Sequence, residues 1–163
     1  MKKKIVLMLT VIMLIGLAGC GKNQINIKET GTSDNNEQMV QNIYENKRTE
    51  VKQKISEIKE RLPETSAEDK GTCGSKAKWY YKDNTLIIYG EGVITEDTWH
   101  KSNIVINTVV IDSGITKLGN NMFSGLGSEV GKNIENFYIA DGLEEIGSST
   151  FVNCDCFSEI VLP

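Results

Sequence analysis

A segment of the C-terminal half occurs twice, and this repeat limits the possible folds more than any other feature. Residues 109–119 align with residues 137–147, the two reading VVIDSGITKLG and FYIADGLEEIG at an offset of 28 residues. A third unit begins at residues 160–163, where Leu162 stands 23 residues after Ile139. The difference of five residues fits an insertion in the first of these units. A repeat of this length predicts a solenoid whose coils bury their apolar sides only by stacking on one another.

The order of residue types is the same in each unit. It runs apolar-x-apolar, then Gly-Leu/Ile-x-x-Leu/Ile-Gly, then Phe, then Cys or Leu. The preceding segment carries Gly71-Thr72-Cys73-Gly74, Trp79, the run from Leu86 to Gly92, and Trp99. Together these features resemble the BspA-type leucine-rich repeat of bacterial surface proteins and the head segment that precedes it. The resemblance covers residues 71–163 and implies a mainly β leucine-rich repeat fold that serves protein binding or adhesion.

Alternation along the short strands separates core-facing from outward side chains. The core-facing set is Val109, Ile111, Phe137, Ile139, Ile160 and Leu162. The outward set, our candidate protein-binding face, is Thr108, Val110, Asn136, Tyr138, Glu159 and Val161. Tyr138 is the best single anchor, because a rigid amphipathic ring binds at low entropic cost. Between the strands, tight turns are predicted at Gly114 and Gly142, and interior positions at Leu118, Phe123, Ile146 and Phe151.

Residues 71–107 are predicted to form a β head, and residues 108–163 about two complete repeats and a terminal strand. In the head, Trp79–Tyr81 and Leu86–Tyr89 fit a hairpin that turns at Asp83-Asn84 and caps the first coil. Such repeats normally number three or more. Either the chain is a truncated relative of a longer surface protein, or the head supplies most of the core.

Residues 37–62 contain no Gly or Pro and predict a helix, within a spacer and linker region of residues 37–70. The helix begins after a cap at Ser33 or Asp34 and ends at Pro63. Its apolar stripe comprises Val40, Tyr44, Val51, Ile55, Ile58 and Leu62, interrupted by Lys47 or Arg48. Two interpretations stay open: an association helix or short stalk, and a solvated spacer that rests on the following domain.

The N-terminus has the features of a lipoprotein signal peptide. Three lysines precede an apolar run at residues 5–18, which is too short to span a bilayer comfortably. The run ends in Leu17-Ala18-Gly19-Cys20, which resembles the lipobox of bacterial lipoproteins and implies removal of residues 1–19 and lipidation of Cys20. Residues 20–36 then form a flexible tether. The alternative is an ordinary cleaved signal peptide.

The charge of the chain makes some partners improbable. The net charge is −4, and removal of the three N-terminal lysines makes it −7. With no basic block among aromatic residues beyond the first four positions, nucleic acid is not an expected partner. An anionic membrane would repel this chain, so the lipid on Cys20 must provide the anchoring, outside the cytoplasm, at the bacterial cell membrane.

Candidate chemical groups are few. His100 is the single histidine, which excludes metal sites with two His ligands, and a surface or packing role is expected for it. Cys154 is expected to be a small buried side chain, with a bridge from Cys73 to Cys154 or Cys156 as the alternative. Asp112 and Asp141 stand where turns need capping. We therefore predict a non-enzymatic protein without cofactor or metal, the alternative being a truncated structural remnant with no ligand of its own.

Overall fold

The computed structural model describes residues 33–102, 104–125, 134–154 and 160–163. The predictions for Cys20, Glu159, Cys156, the signal peptide at residues 1–19 and most of the tether lie outside these residues. Within them the chain forms one α-helix and eight strands, with 3₁₀ turns at Glu64–Ser66 and Thr98–Ser102. The elements are α1 (Ser33–Arg61), β1 (Asp69–Thr72), β2 (Ala77–Lys82), β3 (Thr85–Gly90), β4 (Gly92–Ile94), β5 (Thr108–Ile111), β6 (Ile115–Leu118), β7 (Asn136–Ile139) and β8 (Glu145–Ile146).

The predicted hairpin is present. Strands β2 and β3 pair antiparallel with Lys82 opposite Thr85, so the turn consists of Asp83 and Asn84. Both turn residues have positive φ, 47° and 57°, as the type I′ hairpin turn requires. Strand β1 adds to the free side of β2, and its first residue, Asp69, lies just before the predicted start of the head.

The repeat appears as two sets of parallel strands. Strands β3, β5 and β7 pair in parallel and join β1 and β2 in a five-stranded sheet, while β4, β6 and β8 form a three-stranded sheet. Thr108 pairs with Asn136, the predicted offset of 28 residues, whereas Thr85 pairs with Thr108 at an offset of 23. The parallel stacking therefore begins at β3, within the predicted head. It continues across the predicted boundary between the head and the repeats at residues 107 and 108. This first strand of the stack was missed because the turn Gly90-Glu91-Gly92 replaces the Asp-Ser-Gly and Ala-Asp-Gly turns of the later units.

Two glycines permit the close approach of successive turns. A side chain on Gly114 would place its Cβ 1.9 Å from the carbonyl oxygen of Gly90. Gly142 has a φ of +110°, and its Cβ would lie 2.4 Å from the carbonyl oxygen of Ser113. The predicted need for glycine at both turns is confirmed.

The main core draws side chains from both sheets and includes the four predicted inward residues of β5 and β7. Leu118 and Phe123 are fully buried, and the Phe123 ring stacks between Trp99 and Phe151 at centroid distances of 5.5 and 6.0 Å. Ile146 is 36% exposed, so its predicted interior position is wrong. Leu118 lies on β6, which has β4 on one side and β8 on the other. Ile146 lies on β8, and no described strand pairs with the far side of β8, so Ile146 is left exposed.

Helix α1 lies on the opposite side of the five-stranded sheet and forms a second core with it. Its buried side chains are Val51, Ile55 and Ile58, with Leu62 just beyond its end. They pack on the outward side chains Tyr80, Ile87 and Val110. The helix is thus part of the folded domain, in line with the interpretation that it rests on the following domain. No described helix is long and apolar enough to cross a membrane.

Candidate functional site

The predicted binding face is divided by helix α1. Val110 is 0% exposed and lies in the core beneath the helix, and Val161 packs against the same core. The aliphatic stripe of α1 buries Val110 fully, so this side chain cannot contact a partner in the described structure. Val161 is partly buried, and Glu159 lies outside the described residues.

The other three predicted residues line a cleft between the helix and the sheet. This cleft has a volume of about 410 Å³. Thr108, Asn136 and Tyr138 form its sheet side, and its helix side is made of Lys54, Glu57, Ile58 and Arg61. The parallel register brings the first residues of β5 and β7 side by side, which places Thr108 next to Asn136.

A short chain of hydrogen bonds orders the sheet side of the cleft. The Asn136 amide Nδ2 donates to Thr108 Oγ1 at 3.4 Å, and the Tyr138 hydroxyl donates to Asn136 Oδ1 at 3.3 Å. Tyr138 is partly buried and packs against the core beneath the helix, and it also lines the cleft. The arrangement offers amide, hydroxyl and aromatic groups on a rigid sheet, which suits recognition of a polypeptide.

The helix side of the cleft carries an excess of positive charge. Lys54 Nζ lies 3.2 Å from Glu57 Oε2, and Gln53 Nε2 donates to Glu57 Oε1 at 2.9 Å. The hydrogen bonds from Lys54 and then Gln53 lower the pKa of Glu57. Arg61 makes no ion pair with any described residue. Two cations and one carboxylate leave the cleft net positive in a chain whose net charge is −4.

Arg48, which the sequence analysis treats as an interruption of the apolar stripe of helix α1, is a buried residue of that stripe. It is 3% exposed. Its Nη1 donates to the carbonyl oxygens of Ile139 and Val161 at 2.9 and 3.0 Å, and its Nη2 pairs with Asp141. The spacing of Tyr44, Arg48 and Val51 places Arg48 on the buried stripe. That spacing was the available signal for its burial.

The Ile139 carbonyl needs this donor because of the repeat itself. In the preceding units, Asp112 N donates to Ile88 O at 2.9 Å and Ala140 N donates to Ile111 O at 2.8 Å. By the alignment of the third unit, the corresponding donor would be residue 163, which is proline and has no N–H. The guanidinium of Arg48 takes the place of that missing backbone donor.

The turn aspartates also bind the helix. Asp112 Oδ1 accepts from the backbone N–H of Ser113 at 2.9 Å, the expected turn role, and its Oδ2 lies 2.5 Å from Lys59 Nζ. Asp141 pairs with Lys52 at 2.6 Å as well as with Arg48. The hydrogen bond with Lys52, followed by that with Arg48, lowers the pKa of Asp141.

The remaining candidate groups are buried or dispersed. Cys73 is a free, fully buried thiol whose pKa burial raises to about 12, so it forms no bridge to Cys154. Cys154 is buried as predicted, and its Sγ donates to Phe123 O at 2.8 Å. His100 is exposed, with Nδ1 2.7 Å from Asp97 Oδ2. Among the described residues, no three His, Cys, Asp or Glu side chains are grouped as metal ligands.

A second depression lies on the three-stranded sheet and has a volume of about 550 Å³. It is larger but more open, and Gly92 and Gly114 form part of its lining. Its two charged residues, Lys76 and Glu91, pair with each other at 3.2 Å. We favour the cleft beside the helix, because it contains an ordered aromatic group and a net charge.

Comparison with known proteins gives one structural likeness. No protein-family model matches the chain, and no curated protein matches it. Among solved structures, it is similar to a leucine-rich repeat protein from Eubacterium ventriosum ATCC 27560, with 25% sequence identity and a TM-score of 0.44. The match covers 52% of this chain and 23% of that protein, so the chain spans about a quarter of the length of this relative.

Proposed function

We propose that the chain is a lipid-anchored, non-enzymatic protein of the bacterial cell surface whose leucine-rich repeat solenoid binds another protein. In this proposal the hairpin of β2 and β3 caps the solenoid, with β3 also serving as the first strand of the stack, and the binding site is the cleft beside α1. The observation that carries it is the ordered Thr108–Asn136–Tyr138 side of the cleft, which faces a net positive helix side. We expect the partner to present an extended acidic segment, because Arg61 can pair bidentately with a carboxylate.

The binding proposal is tested by crosslinking from within the cleft. A photoreactive amino acid in place of Asn136 should crosslink to one envelope or host-matrix protein, whereas the same group in place of Lys78, exposed on β2, should not. Arg61→Gln should reduce the crosslink, and Lys70→Gln, an equal change of charge on β1, should leave it unchanged. Crosslinks that are equal from both positions would exclude the cleft. The absence of any crosslinked protein would favour the alternative of a structural remnant.

Anchoring is tested separately in cells. The wild-type chain should incorporate labelled fatty acid and partition into membranes, because the resemblance to the lipobox implies a thioether-linked lipid on Cys20. Cys20→Ser should lose the label, and Cys154→Ser should keep it. Unchanged labelling of Cys20→Ser would refute the anchor while leaving the binding experiment interpretable.

A further inference from the structure

Helix α1 crosses the sheet in a defined direction. Just beyond its C-terminal end, the carbonyl of Leu62 accepts a hydrogen bond from the Tyr80 hydroxyl of β2 at 2.8 Å. Farther back along the helix, Arg48 bonds to Ile139 of β7, and the Tyr44 hydroxyl donates to the Leu162 carbonyl at 2.9 Å. The helix therefore crosses the sheet from the last described coil, near Tyr44, to the hairpin at its C-terminal end.

The first part of the helix extends past the sheet. A helix of 29 residues is about 44 Å long, whereas five strands span about 19 Å from first to last. Residues 33–43 precede the contact between Tyr44 and Leu162 and add about 16 Å beyond it. Their exposure fits this position, with Met39 46% and Val40 39% exposed.

From this direction we infer that the end of the stack formed by β7, β8 and residues 160–163 faces the membrane, and that the hairpin end points outward. The inference rests on the proposed anchor at Cys20. Thirteen residues lead from Cys20 to Ser33 and reach at most about 45 Å. Because Arg48 and Tyr44 fix the helix to the last coil, the tether holds the domain by this end.

Charge keeps this end away from direct contact with lipid. Glu135 and Glu144 are exposed on the last described coil, and the exposed Glu145 pairs with Lys117 at 2.6 Å. An anionic bilayer surface repels carboxylates that lack such a partner. The projecting part of α1 provides the separation that this repulsion favours. The cleft lies beside residues 54–61, which are about 15–25 Å farther along the helix than Tyr44. A partner that approaches from outside therefore reaches the cleft without entering the gap between domain and bilayer.

Energy transfer to the bilayer tests this orientation. The chain from Cys20 onward is coupled through the Cys20 thiol to a synthetic maleimide lipid and bound to phosphatidylcholine–phosphatidylglycerol vesicles that contain an acceptor lipid. A donor dye is placed by an unnatural amino acid at Glu144 in one sample and at Lys70 in another. Since about 19 Å separates the two ends of the sheet, transfer from position 144 should be about twofold higher or more. Equal transfer, or higher transfer from position 70, would overturn the inference.

Two controls assign the effect to the tether and helix. A flexible 30-residue insertion between Cys20 and Ser33 should bring the two transfer values together, and an unlipidated Cys20→Ser chain should show no transfer at either position. A difference that survives the insertion would overturn the role of the short tether. Because the lipid is attached chemically, the result does not depend on whether cells lipidate Cys20.

Discussion

Replacement of Arg48 by methionine should destabilise the domain by removing the hydrogen bonds that join helix α1 to β7 and residues 160–163. The substitution keeps most of the aliphatic length but removes the guanidinium. It therefore deletes the donors to Ile139 O and Val161 O and the pair with Asp141, while it leaves little empty volume. The two carbonyl oxygens then lose their charged donor. Because Arg48 is almost fully buried, water has little access to replace that donor.

The expected loss follows from these three bonds. A hydrogen bond to a charged group contributes about 1.5–3 kcal/mol to the free energy of unfolding, and a buried acceptor left without a donor is penalised by about 1–3 kcal/mol. The Asp141 side chain is 54% exposed, so water replaces its partner and the pair contributes little. The net loss in Arg48→Met should be about 2–4 kcal/mol. Arg48→Lys should lose about half as much, because an ammonium cannot reproduce the fork that spans two carbonyls.

Urea unfolding of the chain from Cys20 onward, followed by tryptophan fluorescence, measures these losses. Arg61→Met is the matched control, because it removes an exposed arginine from the same helix and should change stability by less than about 0.5 kcal/mol. Tyr44→Phe removes the bond to Leu162 O, and its effect should be partly lost in the Arg48→Met background, since both side chains hold residues 160–163. A loss below about 0.5 kcal/mol for Arg48→Met, or an equal loss for Arg61→Met, would refute this account.

Three further outcomes are expected. The lowered pKa of Asp141 means that its contribution to stability is present above the carboxyl pKa of the unfolded chain and is lost as pH falls through the folded value. Because the side chain is 54% exposed, this contribution is small. Asp141→Asn should slightly flatten the acid side of a melting-temperature profile, and a steeper acid side would contradict this. Gly114→Ala should prevent native stacking, because its Cβ would lie 1.9 Å from the carbonyl oxygen of Gly90. The control Gly92→Ala has open space around its Cβ and should lower the free energy of unfolding by only about 1–2 kcal/mol, because of its positive φ. Circular dichroism that shows a native fold for Gly114→Ala would disprove the close approach. Cys73 should resist alkylation at pH 8 until the protein unfolds, because its pKa is about 12 and the thiolate is the reactive form; rapid labelling of that residue in the native protein, located by mass spectrometry, would contradict its burial.

The repeat allowed much of the sheet to be predicted. An offset of 28 residues and the alternation Val109, Val110, Ile111 fixed the register of β5 with β7 and the side chains of the main core. These features are local or periodic, so the sequence contains them directly. The turn at Asp83-Asn84 was predictable for the same reason, since few residues adopt positive φ readily.

The position of the helix could not be predicted from periodicity, because a stripe of apolar residues shows that a helix is buried but not against what. The candidate site therefore included a residue that the helix buries: alternation placed Val110 outward, but it did not show that α1 covers Val110 and that Val161 packs against the same core. The run Val109-Val110-Ile111 contained a signal, because a strand that is apolar on both faces is typical of a sheet covered on both sides.

The helix also explains how the outward face of the five-stranded sheet is buried. Strands of the five-stranded sheet present apolar side chains on both faces; in β3, Leu86 and Ile88 point inward and Ile87 points outward. A single core between the two sheets would therefore leave the outward face exposed. Additional coils could not cover that outward face, since stacking buries only the ends of each coil. Helix α1 covers it, and Arg48 supplies a donor at the last strand where the repeat provides proline. The same residues thus complete the described fold, and in our proposal they confine the binding face to the cleft and determine which side of the stack the tether holds.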